Sequence, residues 1–113
     1  MGSLDDLKNP VERELLARCK RAICSIDPTA DVILFGSRAR GDAEDDSDYD
    51  LLVLTDRLAG LKTEEPILRA LFPIELETGA VLTFLLYNKI TWNSELYRAM
   101  PFHRNVDAEG ISL

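Results

Sequence analysis

Two short segments of the chain combine residue types that could hold a phosphate group and a divalent cation. The first, residues 36–41, has a glycine and a serine followed by arginines. The second, residues 47–50, places Asp48 and Asp50 two positions apart. Each segment adjoins an apolar run typical of a buried strand, 31–35 before the first and 51–54 after the second. We therefore expect both segments to lie at strand ends.

The glycine-serine turn predicts a site for an anion. Gly36 permits a sharp exit from a strand and a close approach of the backbone to a ligand, and Ser37 is a good N-cap for a helical turn. Successive backbone N–H groups there would face the terminal phosphates of a nucleoside triphosphate, and Arg38 and Arg40 would add positive charge. An ordinary P-loop is excluded because Asp42 stands where that motif requires lysine.

The acidic pair predicts a magnesium site. In a strand over 48–54, Asp48 and Asp50 share one face, and Mg²⁺ prefers a few carboxylates completed by water and phosphate oxygens. A calcium EF-hand is excluded because Leu51 and Arg57 occupy the positions that need glycine and glutamate. The plain alternative is a solvated acidic loop beside an ordinary turn, but the conjunction of both motifs between two strands favours a site.

Residues 35–51 resemble the signature G-S-x-A-R-G-x-A-x-x-x-S-D-x-D-L of minimal nucleotidyltransferases in the DNA polymerase β superfamily. The resemblance implies an α/β fold, a small mixed β-sheet with helices packed on it. It also implies that Gly36 and Ser37 hold the triphosphate and that Asp48 and Asp50 are the catalytic, metal-binding residues.

The reaction implied by the resemblance is the Mg²⁺-dependent transfer of a nucleoside monophosphate, AMP from ATP in the first place, with release of pyrophosphate. Two Mg²⁺ ions would clamp the attacking and leaving oxygens, and the acceptor would be a hydroxyl of a protein or a small molecule. The alternative is a nucleotide-binding protein with weak or no chemistry, for example the antitoxin-like half of a pair with a small helical HEPN-type protein.

One feature departs from the family pattern. Catalytic members carry a third carboxylate on a following strand, and the predicted strand 80–87 contains no acid. Thr83 is its only polar residue before Tyr87 and is expected in the vacant place. Glu75 and Glu77 lie just upstream and are the other candidates. The intact turn and acidic pair favour an enzyme, whereas the missing acid favours binding.

Length, composition and charge limit the number of domains and the kinds of binding partner. The chain has 113 residues, 46% of them hydrophobic, which predicts a single domain over 1–113. A net charge of −7 argues against an extended nucleic-acid surface. The absence of a long apolar stretch argues against a membrane span, and reduced thiols at Cys19 and Cys24 would suit the cytoplasm. Uncovered sheet edges predict a homodimer.

Two longer helices are expected to support the site. Asn9 and Pro10 predict the start of a helix that ends near Ser25, with Glu12 completing a capping box. A second helix is predicted from Thr63 to Gly79, kinked or broken at Pro73.

The rest of the chain is predicted to form short strands, helices and turns. Strand 80–87 is apolar on both faces, which predicts a central position covered on both sides. A short helix follows from Thr91, then a turn over 102–109 and a tail over 111–113. His103 is predicted to lie at the surface or at a cap rather than to act as a base.

Overall fold

The computed structural model describes residues 1–113 and contains a five-stranded mixed β-sheet in the order β1-β5-β2-β3-β4. The strands are β1 Gly2–Ser3, β2 Asp31–Phe35, β3 Tyr49–Thr55, β4 Leu82–Asn88 and β5 Ile111–Ser112. The helices are α1 Pro10–Ile26, α2 Ser37–Arg40, α3 Leu61–Thr78, α4 Lys89–Trp92, α5 Glu95–Arg98 and α6 Pro101–Glu109. The expected small mixed sheet with packed helices is confirmed.

The register of β2, β3 and β4 brings the residues of the expected site close together. β2 runs antiparallel to β3, with Phe35 opposite Asp50, and β3 runs parallel to β4, with Asp50 opposite Thr83. The chain therefore leaves β2 at Gly36 beside the point where it enters β3.

Helices cover the two faces of the sheet unequally. The larger core lies under α1 and α3, where Leu16, Ile23, Ile67 and Leu71 pack against Leu51 and Val53 of β3. The alternate residues Leu52 and Leu54 point to the other face, where they pack against Trp92 and Val106. Period-two alternation along β3 thus divides its apolar side chains between two cores.

The two long helices follow the predictions with two corrections, both to α3. Asn9 caps α1, because its Oδ1 accepts hydrogen bonds from the N–H groups of Val11 and Glu12. The predicted break at Pro73 is wrong, since α3 continues through it to Thr78 and begins after Gly60 rather than at Thr63. The buried apolar face of α3 stabilises the helix despite the hydrogen bond that a proline removes.

Two predictions about the sheet are wrong. The strand predicted as central, β4, lies at the edge, and Val81 and Leu85 are about half exposed. The predicted tail is β5, which pairs with β2 and so takes a place inside the sheet. Apolar residues on both faces of a strand indicated coverage, but they do not specify which strands lie beside it.

The C-terminal part differs from expectation. The single short helix predicted from Thr91 is two helices, α4 and α5, and the turn predicted over 102–109 is the helix α6. His103 is buried rather than at the surface, and its ring stacks on Trp92 at a centroid distance of 4.3 Å. Phe102 packs edge-on against Phe35 at 5.1 Å. These aromatic side chains belong to the second core.

A buried carboxylate lies at the far end of the sheet. Asp27 accepts hydrogen bonds at Oδ1 from the backbone and the hydroxyl of Thr29, and at Oδ2 from the hydroxyl of Thr55. Burial alone would raise the pKa of Asp27, but these hydrogen bonds, helped by Arg57, lower it below its ordinary value. The network ties the end of α1 to the end of β3.

The cysteines form no disulfide, and burial raises the pKa of Cys19 to about 11. None of the helices combines the length and the apolar character that a membrane crossing requires.

Candidate active site

The glycine-serine turn joins β2 to the single-turn helix α2. Gly36 has φ 76°, a conformation that favours glycine, and it caps α2, so Ser37 is the first helical residue and not the cap. The amides of Ala39 and Arg40 bond to the carbonyl of Gly36. The two preceding N–H groups, of Ser37 and Arg38, have no carbonyl partner within the helix. The turn therefore offers backbone donors to an anion.

Gly36 lies directly against Asp50. A Cβ atom at position 36 would come within 2.5 Å of Oδ2 of Asp50, a distance that ordinary contacts do not reach. The absence of a side chain at residue 36 is what allows the carboxylate to lie beside the turn. The predicted phosphate and metal residues are thus brought together at this point.

Asp48 and Asp50 straddle the start of β3. Asp48 is exposed and precedes the first strand residue, Tyr49, so β3 begins one residue later than expected. Tyr49 is buried in the core under α1, while Asp50 points to the opposite face. Side chains two positions apart in an extended chain point the same way, so Asp48 and Asp50 are still expected to share a face.

Thr83 occupies the place next to Asp50 on the neighbouring strand. Its hydroxyl donates a 2.7 Å hydrogen bond to Oδ1 of Asp50. A neutral hydroxyl, rather than an acid, thus lies next to Asp50 on the neighbouring strand.

Neither upstream glutamate supplies the third acid. Glu75 accepts a hydrogen bond from the N–H of Leu82 at 3.0 Å, and Glu77 lies 2.5 Å from the guanidinium of Arg18. No cluster of three His, Cys, Asp or Glu side chains suitable for a metal ion exists in the chain. The acidic site therefore consists of two carboxylates.

Two carboxylates still fit Mg²⁺ when a triphosphate completes the coordination. This ion keeps several waters and commonly binds through one or two carboxylates plus substrate phosphates. Asp48 and Asp50 would supply the oxygens, and the turn at Gly36 could present the phosphate beside them. The donor set suits a metal that arrives with a nucleotide better than a metal held by protein alone.

Arg38 is bound to the protein by all three of its guanidinium nitrogens. Nε and one terminal nitrogen donate to the carbonyl of Ser47, at 3.2 and 2.9 Å, and that terminal nitrogen also reaches the carbonyl of Asp45 at 3.0 Å. The other terminal nitrogen donates to Oε2 of Glu12 at 3.1 Å. Because its side chain is only 14% exposed, Arg38 fastens the acidic loop rather than extending toward solvent.

Tyr49 and Glu12 complete this attachment. The guanidinium of Arg38 lies 4.4 Å from the centre of the Tyr49 ring, and the Tyr49 hydroxyl donates to Oε2 of Glu12 at 2.9 Å. Burial, followed by the interaction with Glu12, raises the pKa of Tyr49 to about 12, so the hydroxyl remains a donor. Sequence reasoning assigned Glu12 to a capping box and missed its bonds to Arg38 and Tyr49. The only signal for them in the sequence was an acid in the first turn of α1.

Arg40 lies at the edge of a small cavity beside the turn. This cavity of about 240 Å³ lies between the turn and α6 and is lined by Phe35, Gly36, Arg40, Phe102, Asn105, Val106 and Glu109. Arg40 is half exposed, with Asp42 at 3.2 Å and Glu109 at 3.7 Å. Of the two predicted arginines, Arg40 is the one with freedom to reach a ligand at the turn.

The largest cavity lies elsewhere. It has a volume of about 720 Å³ and lies between α1, the acidic loop and the connection from α3 to β4. Ser47 and Tyr49 line it, whereas Asp48 and Asp50 do not. The large cavity therefore does not contain the acidic pair.

The mixed sheet carries a turn that offers backbone donors beside Asp50, as a nucleotidyltransferase domain would. The sequence profile of the nucleotidyltransferase domain matches residues 16–106, and the chain belongs to that family. A relative from Methanocaldococcus jannaschii is 33% identical over 78 residues, which cover 67% of this chain and 79% of the relative. That protein is described as a "putative protein adenylyltransferase".

Proposed function

We propose that this chain is a Mg²⁺-dependent nucleotidyltransferase that moves AMP from ATP onto a hydroxyl group of a protein and releases pyrophosphate. The observation that carries the proposal is the contact between Gly36 and Asp50, which joins the phosphate turn to the acidic pair. Family membership supports nucleotidyl transfer, and the description of the archaeal relative supports a protein acceptor over a small molecule.

Each residue has a defined task in this proposal. The amides at Ser37 and Arg38 bind the terminal phosphates, with the Ser37 hydroxyl as a further donor and Arg40 as a mobile positive charge. Asp48 and Asp50 would hold Mg²⁺, which neutralises charge on the phosphates. Arg38 keeps the loop before Asp48 in place through Ser47 and is a positioning residue.

The reaction is an in-line displacement at the α-phosphorus. A bond forms between the acceptor oxygen and that phosphorus, while its bond to the oxygen bridging to the β-phosphate breaks and pyrophosphate leaves with the electron pair. The proton of the acceptor hydroxyl passes to solvent. The protein contributes mainly position and charge, which agrees with the buried, stacked environment of its single histidine, His103.

A second function is favoured by the hydroxyl of Thr83. With a neutral group where a third carboxylate would stand, the site could bind a nucleotide without efficient turnover. The chain would then act as a partner protein, and a small helical HEPN-type protein is the partner we propose for either function. The net charge of −7 favours a basic surface on that partner.

The experiment that tests both functions reads nucleotide addition by intact mass. The protein is incubated with Mg²⁺ and each nucleoside triphosphate in turn, with and without a HEPN-type protein encoded beside it. We expect a mass increase of one AMP on the acceptor, abolished in Asp48→Asn and Asp50→Asn. Asp45→Asn is the matched control, because Asp45 lies in the same loop, is exposed and contributes its carbonyl rather than its carboxylate to Arg38.

Addition that persists in both aspartate variants would contradict the metal assignment. Tight binding of Mg-ATP without any addition to an acceptor would select the second function.

A further inference from the structure

The outer edge of the sheet and the adjoining side of α3 form one exposed apolar surface. β4 is the last strand, and its seven residues carry no charge. Leu68, Phe72 and Leu76 recur at four-residue steps, so they lie along one line of α3. We use the name edge surface for Leu61, Leu68, Phe72 and Leu76 of α3, which are between 57% and 82% exposed, together with the outer side of β4.

The helix and the strand contribute to the same surface. A cavity of about 460 Å³ is lined by Glu64 and Leu68 of α3 together with residues 82–87 of β4. The buried side of α3, with Ile67, Leu71 and Ile74, faces the sheet, so the exposed line points away from the core. The edge surface is therefore continuous from the strand to the helix.

β4 has none of the features that usually protect a sheet edge. Edge strands of monomeric proteins are commonly short or carry lysine, proline or a bulge, because their outward N–H and C=O groups invite another strand. The opposite edge, β1, has only two residues. β4 has seven, paired to β3 without a break in register from Leu82 to Asn88. One outward N–H of this edge, that of Leu82, donates to Glu75, and the strand has no other such protection.

We propose that a second copy of this chain covers the edge surface, with its β4 antiparallel to the first β4 about a twofold axis. A partner that covers the edge surface must supply both a strand and an apolar helix beside it. This chain presents both, because α3 lies next to β4. Twofold pairing places each α3 on the same face of the joined sheet, so the two lines of apolar side chains meet. Glu65 and Arg69, which flank the line, pair with each other at 2.5 Å.

The available area agrees with a dimer. Taking about 200 Å² for a fully exposed side chain of this size, the four α3 residues of the edge surface offer on the order of 500 Å² per copy. A standard interface uses about 800 Å² from each partner, and the paired strand backbones add to the side-chain area. The interface also borders the active site, because Thr83 of β4 bonds Asp50. The proposal does not depend on the reaction, so failure of one leaves the other standing.

Sedimentation of the full chain over a range of micromolar concentrations tests the proposal. We expect a concentration-dependent species of twice the 12.7 kDa chain mass. Phe72→Glu on α3 and Leu85→Lys on β4 should each weaken the dimer at least about tenfold. Val11→Glu is the matched control, because Val11 is an exposed apolar residue on α1 and should leave the dimer unchanged.

Hydrogen exchange distinguishes strand pairing from other contacts. Amides of residues 82–88 should exchange more slowly as the protein concentration rises, and this effect should disappear in Phe72→Glu. Circular dichroism of each variant establishes that it is folded, and if Leu85→Lys fails to fold, the helix variant still decides. A wild-type protein that remains a monomer overturns the proposal. The proposal is overturned even if a different protein is found to protect the β4 amides of that monomer. A dimer that persists in Phe72→Glu also overturns it.

Discussion

The hydroxyl of Thr83 on β4 donates a 2.7 Å hydrogen bond to Oδ1 of Asp50 on β3. The two residues are direct partners in the parallel register, so the contact follows from the pairing of the strands. A carboxylate at position 83 would stand beside Asp50 in the same way. Position 83 is therefore the place at which an added carboxylate would lie beside Asp50.

Thr83→Asp is expected to strengthen the metal site. The new carboxylate would repel Asp50 and lower stability without metal, while raising the affinity for a divalent cation by about tenfold or more. Titration with Mn²⁺ followed by electron paramagnetic resonance measures the affinity. Thr83→Val is the control, since it removes the hydrogen bond without adding a ligand. Equal affinities for the wild type and Thr83→Asp would show that residue 83 does not face the cation.

Gly36→Ala and Gly79→Ala separate backbone strain from the clash with Asp50. Both glycines have φ near 75°, but a Cβ on Gly79 meets open space, whereas a Cβ on Gly36 meets Asp50. Each variant should lose roughly 1–2 kcal/mol of unfolding free energy from the left-handed backbone. Only Gly36→Ala should also weaken Mn²⁺ and ATP binding, as measured by calorimetry. Unchanged ligand binding in Gly36→Ala would separate the turn from the site.

Arg38→Ala should destabilise the protein, and Arg40→Ala should not. Loss of Arg38 leaves Glu12 and the carbonyl of Ser47 without their charged partner, which we expect to cost about 2 kcal/mol in chemical denaturation. Arg40 is half exposed, and its loss should leave the unfolding free energy unchanged within error. If Arg38→Ala instead kept its stability and raised only the KM for the nucleotide, Arg38 would be a phosphate ligand.

Stability should fall in acid partly through Asp27. Its pKa is lower in the folded protein than the ordinary value of 3.8, so ionised Asp27 stabilises the fold above that value. The contribution is lost as the pH falls from the ordinary pKa through the lowered one. Urea unfolding should therefore show wild type more stable than Asp27→Asn at pH 7, with the gap narrowing below about pH 4. A gap that stays constant in acid would contradict the role of this carboxylate.

The sequence was sufficient to predict the elements that carry the site. The apolar runs before Gly36 and after Asp50 predicted β2 and β3, and Asn9 with Pro10 predicted the start of α1. These signals are local, because they arise from capping, chain alternation and the conformational freedom of glycine. The family resemblance was confirmed for the same reason, since its signature occupies one continuous segment.

The parts that sequence reasoning missed depend on contacts between distant residues. β4 was predicted to be a central strand because its residues are apolar on both faces. Leu82 and Leu86 are buried in the larger core, but β4 has only one neighbouring strand. Glu12 bonds Tyr49 across 37 positions, and no spacing rule within α1 predicts that contact. Residues 111–113 were too short to be recognised as a strand, because their place in the sheet depends on β2.

The measurement that tests the central proposal most directly is the release of pyrophosphate from ATP in the presence of Mg²⁺ and a protein acceptor. The wild type should release one pyrophosphate for each AMP transferred, and Asp50→Asn should reduce the rate at least about 100-fold with ATP bound. Asp45→Asn should retain the wild-type rate. Equal rates in the wild type and Asp50→Asn would contradict the assignment of the acidic pair beside Gly36 as the catalytic centre.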